Sequence, residues 1–429
     1  MYSSFREDDS TRSVVSILCV VILNGMPSWA KPPPPVERVE VRNGNVFVNG
    51  EPFFLVGTSH VGHSHYSLPE ASEMGFNAVV THGLREHPES FRMDSDDAYA
   101  NGLYSMMSLS NGIWKDLDLV EQIVLSCRDA PGLLVWELED EPNIRVAGPE
   151  GTPHVDLAYK MSPEGFKPAY DLIKRLDPDH PVWINLAYGY EKDHREYRDV
   201  ADIHSDDVYP VPDYPLTHVA QYSDAVVGGS AGEPGWMYIQ MSMQTQDYVR
   251  APNMEEVRCM TYLSIAHGIV GVIHFAYHAA DWWPRESEPA YYAQFLDLTA
   301  ELHALAPYFL AAEEPVAVEA QIIDGSAQPG DFGYTALHLS LRKTKRGYLL
   351  IAVNGFDSPI TARISVPVDG IAPRAAVRSE YRLVDVTDGI IEDSFAPYAV
   401  HLYDLPFSAP DNSERRKVSW PKWQRRARP

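Results

Sequence analysis

The chain has 429 residues and a formal net charge of −25, which argues against a nucleic-acid partner because phosphate binding needs a basic face. Its length exceeds one small domain and suits a barrel with a smaller module attached. Apolar residues make up 45% and aromatic residues 11%, with 9 Trp and 24 Tyr, enough for a large core with aromatic surface left over.

Ser13 to Met26 is apolar but short for a bilayer span, and Ser28 and Ala30 put small residues at −3 and −1 before Lys31. This pattern predicts a signal peptide over residues 1–30 and a secreted or periplasmic protein with no stable membrane insertion after cleavage. Glu7, Asp8 and Asp9 dilute the basic region of Arg6 and Arg12, so an uncleaved anchor is the competing reading. Cys127 and Cys259 would remain in the mature chain, too few for a disulfide framework, and no zinc spacing is present.

Residues 31–52 read as a proline linker and a small hairpin, with alternating residues around Asn43-Gly44 and Asn49-Gly50. Over 53–312 the pattern becomes apolar runs separated by helical stretches. The runs are Phe53–Ser59, Phe76–Thr81, Leu103–Ser110, Leu133–Glu141, Val182–Leu186, Asp202–Pro210, Trp236–Gln240 and Ile269–Tyr277. Lys115–Arg128, Pro163–Leu176 and Met254–His267 are amphipathic segments between them, and Tyr291–Leu310 reads as a closing helix. Alternation of this kind implies parallel pairing, and eight such units close into an α/β (β/α)8 TIM barrel. Residues 313–408 turn all-β, with strand-like runs at Val316–Ile323, Tyr334–Lys343, Tyr348–Asn354, Ala362–Val368, Ala375–Val384 and Tyr398–Tyr403. Turn signals such as Asn354-Gly355 and Asp369-Gly370 separate many of them and predict a C-terminal antiparallel β-sandwich. Residues 409–429 form a basic tail, read as solvated and disordered.

The fourth run, Leu133 to Leu138, ends in Glu139-Asp140-Glu141-Pro142. An acid at the end of a buried strand is half desolvated, which raises its pKa and makes it a proton donor. A charged loop opening a helix at Pro142 is the plainer reading. In a barrel of this type the site lies at the carboxyl ends of the strands. Those ends carry His60, His82, Asp140, Glu141, Asp206, Asp207, Tyr209, Gln240, Tyr277 and, just beyond, Asp281 and Trp282. Acids, imidazoles, an amide and aromatic rings together suit recognition of a polyol.

Asp129 to Trp136 followed by Asp140-Glu141-Pro142 resembles the fourth-strand motif of clan A glycoside hydrolases. The likeness continues through Gly75–Val79, Leu176–Pro181, Ala201–Pro210 and Arg258–Tyr277, covering roughly residues 37 to 310. It implies a carbohydrate substrate, with Glu141 as general acid/base and Trp136 as the tryptophan preceding the acidic pair. Asp140 stands where the clan often has Asn and can still accept a bond from a sugar hydroxyl. The clan's nucleophilic Glu ends the seventh strand, where this chain has Gln240, and an amide cannot supply an anion. Asp207 is the chosen second carboxylate, sharing strand parity with Tyr209; Asp206, Asp281 and Glu286 are alternates, and Glu137 and Glu139 read as paired structural acids.

His60, His82, Trp136, Asp140, Tyr209, Gln240, Tyr277 and Trp282 are the substrate-binding candidates. No metal is expected, because His60, His63, His65, His82 and His204 lack the ligands that complete a known pattern. No cofactor is expected either, since neither a phosphate loop nor a dinucleotide fingerprint occurs. The preferred function is hydrolysis of O-glycosidic bonds in an oligo- or polysaccharide. A barrel that binds carbohydrate without cleaving it is the alternative, motivated by Gln240, and a metal-dependent hydrolase is a third reading.

Overall fold

A computed structural model describes residues 32–59, 68–143, 161–242, 250–276, 284–311 and 316–408. The expected signal peptide, the basic tail and the site candidates His60, Tyr277 and Trp282 lie outside the described residues, as do His63, His65 and Asp281.

Three short strands, β1 (Val39–Arg42), β2 (Asn45–Val48) and β3 (Glu51–Phe53), form an antiparallel sheet around the two expected Asn-Gly turns. Asn43, Gly44, Asn49 and Gly50 all have positive φ, the geometry a tight hairpin turn requires. This sheet covers the amino-terminal end of the barrel. Its Val36 and Val39 amides donate to Pro131 and Asp179, which precede the fourth and fifth barrel strands.

The barrel is closed and wholly parallel: β4 (Leu55–Thr58), β5 (Ala78–His82), β6 (Tyr104–Ser108), β7 (Leu133–Asp140), β8 (Val182–Ala187), β9 (Ile203–Val208), β10 (Gly235–Gln240) and β11 (Gly271–Phe275). Each coincides with one of the eight apolar runs. Inward side chains such as Leu55, Met106, Val135, Trp183, Trp236 and Ile273 fill the interior, with Val39, Val46 and Val48 beneath them. Gly271 is required there, because a Cβ would lie 2.6 Å from Trp236 Cδ1. Outward residues of the strands pack under helices such as Leu117–Cys127 and Met254–Ala266.

The register of β7 governs the site. Trp136 and Glu137 pair with Val182 and Trp183 of β8, but the next pairing joins Asp140 to Asn185. Three steps on β7 therefore match two on β8, a bulge that reverses side-chain parity. Glu137 and Asp140 come to line the same cavity, while Glu139 turns toward the loop after β6.

Beyond the barrel stand two antiparallel sheets. One orders β12 (Glu319–Asp324), β15 (Ile360–Ser365) and β18 (Ile390–Phe395). The other orders β13 (Leu337–Thr344), β14 (Gly347–Asn354), β19 (Val400–Pro406), β16 (Arg374–Val377) and β17 (Arg382–Asp385). The single run expected at Ala375–Val384 is split in two by a turn in which Ser379 and Tyr381 adopt positive φ. Strand β18 was not among the expected runs. Leu349, Ile351, Val353 and Leu402 of the five-stranded sheet join the barrel's outer core, fixing the module against helices Met254–Ala266 and Pro289–Phe309.

Candidate active site

At the carboxyl end of the barrel a cavity of about 90 Å³ is lined by Ser59, His82, Glu137, Asp140, Glu141, Asp207, Tyr209 and Tyr238, with Val80 and Phe275. Four of these are acids, and no Lys or Arg lines the cavity among the described residues. Burial without a cation raises carboxyl pKa values. Glu137 is held well above the ordinary range by burial and then by the charge of Asp140, against a hydrogen bond from Ser108. Asp140 is pushed up to about 6, again by burial first and Glu141 second, with the Asn185 hydrogen bond opposing.

Asp207 is the most constrained of the four. Its Oδ2 accepts from the Tyr209 hydroxyl at 3.1 Å and from Asn185 Nδ2 at 3.4 Å. Its Oδ1 is buried without a donor, and the nearby charge of Glu141 bears on it. Burial, Glu141 and Asp140, in that order, raise Asp207 well above the usual carboxylate range. Glu141 is partly exposed and sits at φ 48°, a conformation costly for a residue with a Cβ. Its amide is tied to the Asn185 carbonyl at 2.9 Å.

Asn185 links these groups and is absent from the sequence-based candidates. Trp183 Nε1 donates to Ser205 Oγ at 2.7 Å, and Ser205 Oγ donates to Asn185 Oδ1 at 2.7 Å. An indole nitrogen only donates, so the serine proton is free for Asn185 and the amide orientation is determined. Asn185 Nδ2 then faces Asp140 Oδ1 at 2.9 Å and Asp207 Oδ2. The signal was available: one carboxamide in the otherwise apolar run Val182–Ala187.

Of the expected candidates among the described residues, Glu141, Asp207, His82, Asp140 and Tyr209 meet at this cavity. Two do not. Trp136 is fully buried under the helices, and its Nε1 donates to Asp177 Oδ2 at 2.8 Å; its parity turns the ring away from the barrel interior. Gln240 is also buried, with both ends of its amide engaged by the backbone of Val211 at 2.9 Å, so it braces the loop after β9. Asp206 faces outward to His194 and the Gly189 amide, as alternation from Asp207 requires. Glu286 is exposed on the short helix Pro284–Ser287. Glu139 accepts from Asn111 N, Gly112 N and Trp114 Nε1, holding the loop after β6. Among the described residues no group of three or more His, Cys, Asp or Glu is arranged to hold a metal.

Residues 158–282 match the family model Glyco_hydro_42, beta-galactosidase, across the fifth to eighth strands of the closed barrel. The chain is a clan A (β/α)8 glycoside hydrolase. Within this clan A barrel the fold is further supported by solved structures. A glycoside hydrolase family 5 protein from Bacteroides vulgatus is 14% identical with a TM-score of 0.59, over 89% of this chain and 96% of that one. A beta-galactosidase from Bacillus circulans is 11% identical with a TM-score of 0.58, over 82% and 99%. No curated protein matches the chain. The clan A barrel thus carries its acids on the fourth and sixth strands and a structurally occupied amide on the seventh.

Proposed function

We propose that the protein hydrolyses O-glycosidic bonds of an oligo- or polysaccharide, with Glu141 as general acid and Asp207 as the second carboxylate. The convergence of these two acids on one cavity without a lining cation, at the strand ends of a glycoside-hydrolase barrel, carries this reading. The separation of the two carboxyls around bound substrate sets the stereochemistry: retaining pairs stand ~5–5.5 Å apart and inverting pairs ~6.5–9.5 Å. Glu141 protonates the leaving glycosidic oxygen as the bond to the anomeric carbon breaks. Asp207 is left as an anion in a desolvated cavity, where it faces the positive charge developing on the sugar. Water supplies the hydroxyl that ends on the anomeric carbon, and its proton returns to the carboxyl pair. Asp140 and His82 are positioned to hold sugar hydroxyls.

Turnover of glycans by the wild type, lost in both Glu141→Gln and Asp207→Asn, is the expected result; full activity in either variant removes that residue from its role. A second reading, binding without cleavage, is favoured by Gln240, whose amide leaves the seventh strand without an anion. Wild-type turnover that disappears on Asp207→Asn excludes it.

We also propose secretion, supported by the apolar segment and small-residue site ahead of Lys31. A mature amino terminus at Lys31 is the expected result of mass spectrometry on protein from the native host; an intact Met1 end contradicts it.

A further inference from the structure

We propose that a ridge of exposed aromatic rings, running from the barrel mouth onto the β-sandwich, binds successive sugar rings of a neutral polysaccharide. The substrate class rests on the glycosidase reading above. Helix Thr217–Gly229 carries His218 and Tyr222 four residues apart, one turn and roughly 6 Å along the same face. Both are buried, and each supports two outer rings. Tyr214 stacks on His218 at 5.1 Å and Phe332 meets it edge-on at 4.9 Å. Tyr188 and Tyr190 pack on Tyr222 at 5.6 and 6.0 Å. The outer four are open to solvent: Tyr188 37%, Tyr190 51%, Tyr214 55% and Phe332 53%.

The ridge is continuous with the candidate active site. Tyr188 follows β8 and Tyr214 follows β9, so both sit on carboxyl-end loops, and the Tyr209 amide donates to the Tyr188 hydroxyl at 3.4 Å. Tyr209 itself lines the acidic cavity. At the far end, Phe332 belongs to the sandwich module and stands at φ 56°, while Tyr188 stands at φ 48°. Left-handed backbone is costly for bulky residues and persists where the surroundings enforce it. Here it holds large rings outward, where folding alone gains little from them. Flat aromatic faces with hydroxyl edges suit the apolar faces of sugar rings. Asp213, next to Tyr214 in the chain, adds an acceptor for sugar hydroxyls, whereas Glu191 pairs with Arg195 and Asp331 lies 3.7 Å from His218; the chain's net charge of −25 opposes anionic glycans.

The test is affinity electrophoresis of the full chain carrying Glu141→Gln, in gels containing soluble galactan, xylan, glucomannan or mixed-linkage β-glucan, with polygalacturonate as the anionic control. At least one neutral polymer should retard the protein and polygalacturonate should not. Tyr190→Ala, Tyr214→Ala and Phe332→Ala should each weaken retardation by roughly 2- to 12-fold, the worth of one aromatic contact. No retardation by any neutral polymer overturns the proposal, and so do variants retarded like the parent. If Phe332→Ala only lowers the melting temperature, its ring is a staple between barrel and sandwich. If the variants change only the sedimentation coefficient, the ridge joins two copies of the chain; either result also overturns it. Wild-type hydrolysis of short aryl glycosides separates the two ideas. Hydrolysis without retardation breaks the ridge alone, and retardation without hydrolysis breaks the enzymatic reading alone.

Discussion

Two buried acids, Glu301 and Asp207, show what separates a carboxylate that braces a fold from one buried with no cation beside it. Glu301 lies where helix Pro289–Phe309 meets the sandwich and accepts from Arg258 Nη2 at 2.8 Å, Tyr262 at 2.5 Å and Ser379 at 2.7 Å. Burial pushes its pKa up, but the guanidinium and the two hydroxyls outweigh it and hold the group below its ordinary value. Asp207 is equally enclosed, yet its neighbours are other acids and one of its oxygens has no donor, so its pKa moves the other way. Folding alone does not favour an unsatisfied buried acid, and such groups concentrate where a proton must be held or released.

Exchanging each acid for its amide should break this comparison most sharply. Asp207→Asn should lower turnover by roughly 10²–10⁴-fold, as expected for loss of an acid–base group, while the urea midpoint stays level or rises. Glu301→Gln should do the reverse. Turnover per folded molecule stays level, while urea unfolding reports a loss of about 1–3 kcal/mol because the half-buried Arg258 loses its ionic partner. Equal stability losses at both sites would remove the distinction.

A smaller effect belongs to Gln240. Gln240→Glu puts an acid where a clan A barrel has its nucleophile, but it deprives the buried Val211 carbonyl of a donor. Urea unfolding should show a loss of about 1–3 kcal/mol, with no gain in turnover. A rise in turnover would show that the amide is not held in place as the structure has it.

The two sites should also respond to pH with opposite signs. Asp207, Glu137 and Asp140 have raised folded pKa values, so the native state binds more protons than the unfolded one above the ordinary carboxyl range near ~4. Their contribution to stability is complete below that range and is lost as pH rises, with Asp140 passing its folded value at about 6. Glu301 contributes above the ordinary range and loses that contribution as pH falls through its lowered folded pKa. Unfolding free energies across acidic to neutral pH should therefore fall less steeply in Asp207→Asn and lose their acid-side rise in Glu301→Gln. The smallest expected effect is at Asn185. Asn185→Ala removes a donor from Asp140 and should move any limb of the pH–rate profile near 6 upward.

The barrel was legible because buried parallel strands read as continuous apolar runs, and all eight stand where those runs lie. Side-chain facing was less so. Alternation along the fourth strand puts Glu137, Glu139 and Glu141 on one face, but the bulge before Asp140 interrupts that parity, and a one-residue slip leaves no mark in composition. Trp136 looked like a site residue from its place in the motif; only the packing of helices over the strand reveals which side it faces. Gln240 was visible as a missing acid, whereas its bond to Val211 depends on a loop from the neighbouring strand. Asn185 was within reach as a lone amide in an apolar run, but nothing local distinguishes a site residue from a satisfied core amide. Strand β18 escaped because Ile390–Phe395 mixes Glu392, Asp393 and Ser394 among its apolar residues, as a half-exposed strand does.

The most direct measurement is the dependence of Glu141→Gln turnover on leaving-group acidity, using aryl glycosides from dinitrophenyl to methylphenyl. A dinitrophenolate departs without a proton and a methylphenolate needs one. The account predicts near-parent rates on the first and a loss approaching 10²–10⁴-fold on the second. Equal losses on both, or none on either, would contradict the assignment of Glu141 as the proton donor.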